Sequence, residues 1–275
     1  MTALKQLLAH KLTKKELSIF RGSFDVIGTI ALVEIPKQLE KKEKLIATAV
    51  QSLNPHIKTV AKKIGAHTGK YRRQKISFIL GEKTKITEHK ESNVRLHLNV
   101  ETCYFSPRLA SERLRIASLV KPREKVLVLF SGIGPYPLVI AKHSPAQNIT
   151  GIELNPAAHT FAQENILLNK SSQKVQLLHG DVRTILPHLK GTFDRIIMPL
   201  PKTGELFLDV VFPKIKKGGM IHLYQFASED EFKKYAEQVI EVGKQYRKKL
   251  KIVNIIKAGQ HAPRVYRICI DILVN

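Results

Sequence analysis

Three groups of residues in the second half of the chain have the types and spacing to hold a nucleoside. The first is Phe130-Ser131-Gly132-Ile133-Gly134-Pro135, at the end of the apolar run KVLVLF (125–130). Glycines at a strand-to-helix turn let the backbone approach a ligand at the positive end of the following helix. The second is Glu153, about 20 residues on, where NITGIEL (148–154) closes and a carboxylate can accept from ribose hydroxyls. The third is Gly180-Asp181 after KVQLLH (174–179), where a carboxylate can meet an adenine amino group. A lone G-x-G turn often serves only tight packing. Three such signals at three successive strand ends share one edge of a parallel sheet and point to a bound nucleoside. The dinucleotide fingerprint lacks its third glycine, because Pro137 stands there, and no second cradle for a pyrophosphate is visible. A single nucleoside with a short charged tail, as in S-adenosylmethionine, fits better than a nicotinamide dinucleotide.

These residues need a sheet to align them. After Pro107 a helical stretch runs to Val120 and is closed by Lys121-Pro122. Strand-like and helix-like runs then alternate: helices after Pro135 and Pro156, a strand at DRIIM (194–198), a helix over Leu206–Ile215, a strand at GGMIHLYQF (218–226) and a helix over Glu229–Val242. Such alternation predicts an α/β fold with a mostly parallel sheet covered by helices on both faces. Two closing strands, Lys251–Ile256 and Val265–Val274, read as an antiparallel hairpin at the sheet edge. The first hundred residues differ. Ser23–Ile35 suggests a strand bent at Gly28, and Gln38–Leu53 a helix stopped by Asn54-Pro55. Strands are expected around Ile57–Val60 and Ile76–Leu80, and across Thr84–Leu98 with a turn at Glu91-Ser92-Asn93. The expected division is a helical extension over 1–20, a small α+β module over 21–100 and an α/β domain over 101–275.

Charge names the class of partner. Forty-six Lys and Arg against 23 Asp and Glu give a formal net charge of +23, a self-repelling surplus that suits a polyanion such as nucleic acid. Lysine pairs such as Lys41–Lys42, Lys62–Lys63 and Lys248–Lys249 taken singly are solvated faces. Cys103 and Cys269 lack metal-ligand spacing and sit in apolar runs, so buried free thiols are expected and no metal site. No run approaches the ~20 apolar residues that span a bilayer. Met1–Ser18 lacks the apolar core and cleavage site of a signal peptide, so a cytoplasmic location is expected. No obligate protein partner is evident.

The run Tyr104-Phe105-Ser106-Pro107-Arg108-Leu109-Ala110-Ser111-Glu112-Arg113, followed by FSGIGP, IELNP and GDVR, resembles the archaeal and eukaryotic tRNA (guanine37-N1)-methyltransferase family over residues 20–275. That resemblance implies a class I, Rossmann-like methyltransferase fold behind a small RNA-positioning module, with S-adenosylmethionine as cofactor and the tRNA anticodon loop as partner. Carried over by position, it implies cofactor contacts from Tyr104, Arg113, Phe130, Gly132, Gly134, Glu153, Leu154, Asp181, Val182 and Pro199. It makes Glu112 the candidate general base and Arg72, in GKYRRQ, the candidate cation beside the guanine. It assigns substrate contacts to Arg108, Arg264 and the loop Pro199-Leu200-Pro201. Three departures stand out: Val128 replaces the usual acid of the first strand, Pro199 replaces the loop asparagine, and the small module begins without the separate N-terminal domain of many relatives. MPLPK resembles a subgroup that methylates guanine 37 and also C7 of 4-demethylwyosine; one reaction or both stay open at this point.

The chemistry agrees with those roles. Guanine N1 carries a proton that must leave on methylation, so a carboxylate within hydrogen-bond reach is needed. Negative charge then develops towards O6, which an arginine can stabilise. Glu112 and Arg108, four apart on one helix, could equally be an ordinary helix salt bridge. Two other functions share these residues. A wyosine-pathway aminocarboxypropyltransferase would use the same cofactor, but those relatives carry Gly-Asn where this chain has Arg108-Leu109. A non-catalytic basic RNA-binding protein would have no need of the glycines, Glu153 and Asp181 together.

Overall fold

The computed structural model describes residues 2–275, which divide into two compact units. The first comprises residues 2–90 with Arg95–Pro107, and the second Glu91–Val94 with Arg108–Asn275. The division expected near residue 100 thus lies at Pro107, with one hairpin tip grouped with the second unit.

In the first unit, the run expected as one bent strand is a hairpin of β1 (Phe24–Ile27) and β2 (Ile30–Val33). Gly28 takes the left-handed φ of 55° that the tight turn requires. A 3-10 turn (Lys37–Lys42) and helix α3 (Glu43–Leu53) then lead to β3 (Thr59–Thr68), parallel to β2, and β4 (Arg73–Gly81), antiparallel to β3. The opening residues form α1 (Ala3–Leu7) and α2 (Lys14–Ile19), each N-capped by a threonine. They are not a detached extension: Leu4, Leu8, Leu12 and Phe20 share one apolar core with Ala31, Val33, Ile46, Val50 and Val60. A second hairpin, β5 (Ile86–Glu91) and β6 (Val94–Asn99), turns through left-handed Ser92 and Asn93, where the sequence placed it.

The second unit begins with α4 (Ala110–Ser118) and then alternates as expected: β7 (Lys125–Leu129), α5 (Pro135–His143), β8 (Asn148–Glu153), α6 (Pro156–Leu168), β9 (Val175–His179), α7 (Val182–His188), β10 (Phe193–Met198). Helix α7 was not expected; Asp181 caps it by accepting from the Arg183 N–H, and Pro187 sits within it. The helix expected over Leu206–Ile215 is shorter, a 3-10 turn (Gly204–Phe207) and a single turn α8 (Leu208–Val211). Pro213 cannot continue a helix, and Ile215 already belongs to β11 (Ile215–Ser228). After α9 (Phe232–Gln245) come β12 (Leu250–Ala262) and β13 (Val265–Val274). The sheet order is β12-β13-β11-β10-β7-β8-β9, with β13 antiparallel to both its neighbours and the others from β11 to β9 parallel. The closing hairpin is therefore at the edge, but its last strand lies inside the sheet.

Charged side chains dock α4 on this sheet. Arg195 of β10, 2% exposed, donates from Nε to Glu124 (2.7 Å), from Nη2 to the Leu119 carbonyl at the end of α4 (2.6 Å) and from Nη1 to His222 Nε2 of β11 (2.6 Å). Arginine has only donors, so His222 Nε2 accepts and Nδ1–H donates to Asp271 Oδ1 of β13 at 2.6 Å. Asp271 also accepts from Arg115 of α4 at 2.8 Å and from the Cys269 thiol at 3.3 Å. Burial pushes the His222 ring towards its neutral form. Both cysteines are buried thiols.

Burial works to raise the Asp271 pKa, but the hydrogen bonds from His222 and Arg115 outweigh it and hold this carboxylate well below its ordinary value of 3.8. A carboxylate so depressed stabilises the fold above its unfolded pKa, and that contribution is lost as pH falls through the folded value. Asp271→Asn is expected to lower the unfolding free energy at neutral pH by about 3–5 kcal/mol, the usual cost of breaking a buried ion pair. The gap to the parent should begin to narrow as pH falls through 3.8, where the unfolded chain takes up the proton, and should close only at the lower pH where the folded aspartate is protonated too. Urea titrations at neutral and acid pH measure both.

Candidate active site

The cofactor candidates converge at the carboxyl ends of β7, β8 and β9. Phe130, Gly132 and Gly134 all have left-handed φ, at 54°, 58° and 86°. For phenylalanine that conformation costs about 1–2 kcal/mol, so the surroundings must impose it. They do so through hydrogen bonds. Ser131 N–H donates to the Ile152 carbonyl (3.0 Å), Gly132 N–H to Glu153 Oε2 (2.7 Å), and buried Asn165 of α6 donates to the Ile133 carbonyl (3.0 Å). Gly134 then caps α5, with Pro135 as its first residue.

Glu153 organises this turn as well as facing it. Its Oε1 accepts from Asn155 N–H at 2.7 Å, and Leu154 N–H adds a third backbone donor. Burial raises its pKa above the ordinary 4.5, against these donors. A carboxylate has about four acceptor sites, so capacity remains for ribose hydroxyls. Gly180 N–H donates to the Glu153 carbonyl at 2.9 Å and brings Asp181 alongside. Asp181 is exposed and uses Oδ1 as the α7 cap, leaving Oδ2 for a ligand amino group. Val182, the first residue of α7, is buried in the main core. The Phe130 ring meets Phe207 edge-on at 4.9 Å, an aromatic wall not foreseen from the sequence. Glycine turn, paired carboxylates and aromatic wall fit an adenosine-bearing cofactor.

Glu112, 5% exposed on α4, does form a helix salt bridge, with Arg115 one turn on. Arg115 Nε reaches Oε2 at 2.7 Å and Nη2 reaches Oε1 at 2.8 Å. Tyr224 of β11 donates its hydroxyl to Oε1 at 2.6 Å and accepts from the Tyr136 hydroxyl at 2.9 Å. Tyr136 is the second residue of the helix that Gly134 caps. Two tyrosines therefore link Glu112 to the cofactor turn. Burial pushes both phenols up, which keeps them protonated donors. Sequence reasoning had no access to Tyr136, Tyr224 or Arg115, whose partners lie 88, 112 and 156 positions away.

Arg113, expected at the cofactor, is 1% exposed and pairs through both ends of its fork with Glu91 at 2.5 Å. Arg108 is exposed at the start of α4, and Arg264 takes a left-handed φ of 59° in the β12–β13 turn. Pro199, Leu200 and Pro201 form a tight loop after β10. Leu200 N–H donates to the Met198 carbonyl (2.8 Å), Gly204 N–H to that of Leu200 (3.0 Å) and Phe226 N–H of β11 to that of Pro201 (3.2 Å). In the first unit, Arg72 has a φ of 53° and lays its guanidinium 4.1 Å above the Tyr104 ring. His67 meets the same ring edge-on at 5.2 Å, its pKa lowered by burial and by the Arg72 charge. His222, Cys269 and Asp271 are close enough to share one ion, but their polar atoms already bond one another and two arginines, which disfavours a cation there.

Glu153→Ala and Asp181→Ala are each expected to weaken S-adenosylmethionine binding by roughly 1–3 kcal/mol, the cost of leaving ligand donors without acceptors. Glu153→Ala should be the worse of the two, because Gly132 and Asn155 also lose their acceptor. Calorimetry with the cofactor measures both; unchanged affinity in both variants would move the pocket elsewhere.

Comparison with known proteins agrees with this geometry. The profile of the TRM5/TYW2 methyltransferase domain matches residues 87–253, and that of the TYW2 N-terminal domain matches residues 4–84. The chain is 37% identical to the tRNA (guanine(37)-N(1))-methyltransferase Trm5b of Pyrococcus abyssi, over 92% of this chain and 75% of that one. It is 30% identical to the tRNA (guanine(37)-N(1))/4-demethylwyosine(37)-methyltransferase Taw22 of Nanoarchaeum equitans, over 91% and 99%. A solved complex of aTrm5 with tRNALeu superposes with a TM-score of 0.86 at 28% identity, covering 100% of this chain and 78% of that one. With its glycine turn, Glu153 and Asp181 at the carboxyl edge of a seven-stranded sheet, the chain belongs to the TRM5/TYW2 methyltransferase family.

Proposed function

We propose that the chain is an S-adenosylmethionine-dependent tRNA methyltransferase acting on N1 of guanine 37. The observation that carries this reading is the Tyr136–Tyr224–Glu112 hydrogen-bonded chain, which places a buried carboxylate two side chains from the cofactor turn. The relatives' activity and the net charge of +23 supply the substrate class. Bound S-adenosylmethionine supplies an electrophilic methyl group on a sulfonium sulfur. Glu153 and Asp181 hold the nucleoside, and Glu112 accepts the N1 proton. Arg115 and Tyr224 occupy three of the acceptor sites of Glu112 and fix its plane, leaving a lone pair for the base. Arg72 is the proposed cation for charge developing at O6, and Tyr104 a proposed cofactor contact. Arg108, Arg264 and Pro199-Leu200-Pro201 are proposed to meet the RNA.

Pro199 favours a second reaction at the same pocket, methyl transfer to C7 of 4-demethylwyosine. Proline has no side-chain amide with which to read guanine, so the loop offers carbonyls and apolar surface that admit a larger base. Transfer to a ring carbon makes different demands on the base.

Glu112→Gln keeps the size and most hydrogen bonds of the side chain but loses its basicity. Single-turnover methyl transfer to N1 is expected to slow by roughly 10²–10⁴-fold, with cofactor and tRNA affinity retained. A rate within a few-fold of the parent would leave Glu112 a docking residue for Arg115 and give the proton to another group. Running the same variant on tRNA bearing 4-demethylwyosine separates the two reactions.

A further inference from the structure

The end of the β12–β13 hairpin carries aromatic and basic groups that neither the cofactor site nor the proton-transfer chain uses. His261, exposed near the end of β12, stacks on Phe226 of β11 with ring centroids 3.9 Å apart and planes 23° from parallel. Arg267 lies over the same phenylalanine at 5.3 Å, and Lys257 over Tyr266 at 4.6 Å. Phe226 is fixed to the Pro-Leu-Pro loop by its N–H donation to the Pro201 carbonyl. At Gly259, two residues before His261, a Cβ would stand 3.9 Å from the Arg108 carbonyl, so the hairpin passes beside the start of α4. One patch of the second unit thus groups the stacked pair with the loop and with the helix of Glu112.

We propose that His261, backed by Phe226, is a stacking platform for a nucleobase of the anticodon loop adjacent to the base being methylated. This rests on the tRNA reading above. A base delivered to a reactive pocket must leave its stack, and its neighbours then expose flat π faces to water. An imidazole already held parallel to a second ring offers such a neighbour a rigid face at little entropic cost. Aromatic rings interleaved with Arg and Lys are the usual construction for single-stranded RNA. Stacking accepts any base, so the platform holds the loop open without reading its sequence.

The test uses anticodon stem-loops carrying 2-aminopurine at position 36 or 38, because stacking quenches its fluorescence. Binding to the parent protein is expected to quench one of the two probes. His261→Ala should lose most of that quenching and weaken stem-loop binding roughly five- to a hundredfold, the range of a lost base–aromatic stack. His261→Phe should restore both, and calorimetry with S-adenosylmethionine confirms that each variant is folded. If the parent binds and His261→Ala matches it in affinity and quenching, or if His261→Phe does no better than His261→Ala, the platform is refuted while the tRNA reading stands. If the parent binds neither stem-loop at any salt concentration, the tRNA reading falls and the platform with it.

Discussion

Burying a charge is tolerable only when its partner is buried beside it, and this condition governs how α4 is held. The helix brings Glu112 and Arg115 onto a sheet that itself buries Arg195, His222 and Asp271. Arg115 is neutralised on one side by Glu112 and on the other by Asp271, while Arg195 closes the line through His222 and Glu124. The groups come from α4, the turn before β7, and strands β10, β11 and β13. A shift of α4 along the sheet would strand charges in a low-dielectric interior, so the carboxylate proposed to accept a proton has little positional freedom. The tyrosines extend the same constraint to α5, and through Gly134 to the cofactor turn.

The cofactor turn obeys a second version of that rule. Left-handed Gly132 points its N–H at Glu153, which is half-buried among the groups it organises. The carboxylate thus shapes the loop before any ligand arrives. Preorganisation of this kind reduces the ordering that binding must pay for.

What was legible in the sequence was local. The glycine turn, Glu153 and Asp181 announce themselves by their positions at strand ends, and the β5–β6 turn by Ser92-Asn93. The alternation of runs gave the parallel sheet because a fully buried strand is apolar throughout. Failures came where tertiary structure overrode local pattern. Leu206–Ile215 has helical composition, but Pro213 and the start of β11 cut it to one turn. Asp181 was read only as a candidate ligand group, so its role as the cap of α7 went unseen. Arg115 is held against Glu112 because Asp271, 156 residues on, holds its other edge. No pattern within α4 records that partner.

The interior place of β13 carries a consequence for how the protein is made. During synthesis, Glu112, Arg115, Arg195 and His222 all leave the ribosome before Asp271, the acceptor that joins them. Until β13 slides between β11 and β12, the nascent sheet has an open flank of unpaired backbone groups, and α4 carries an arginine without its second carboxylate. Contacts this distant in the chain are slow to form and expose sticky intermediates meanwhile. The second unit can therefore close only as a whole, after translation of its last strand, and a nascent chain stalled short of residue 265 would be a client for chaperones.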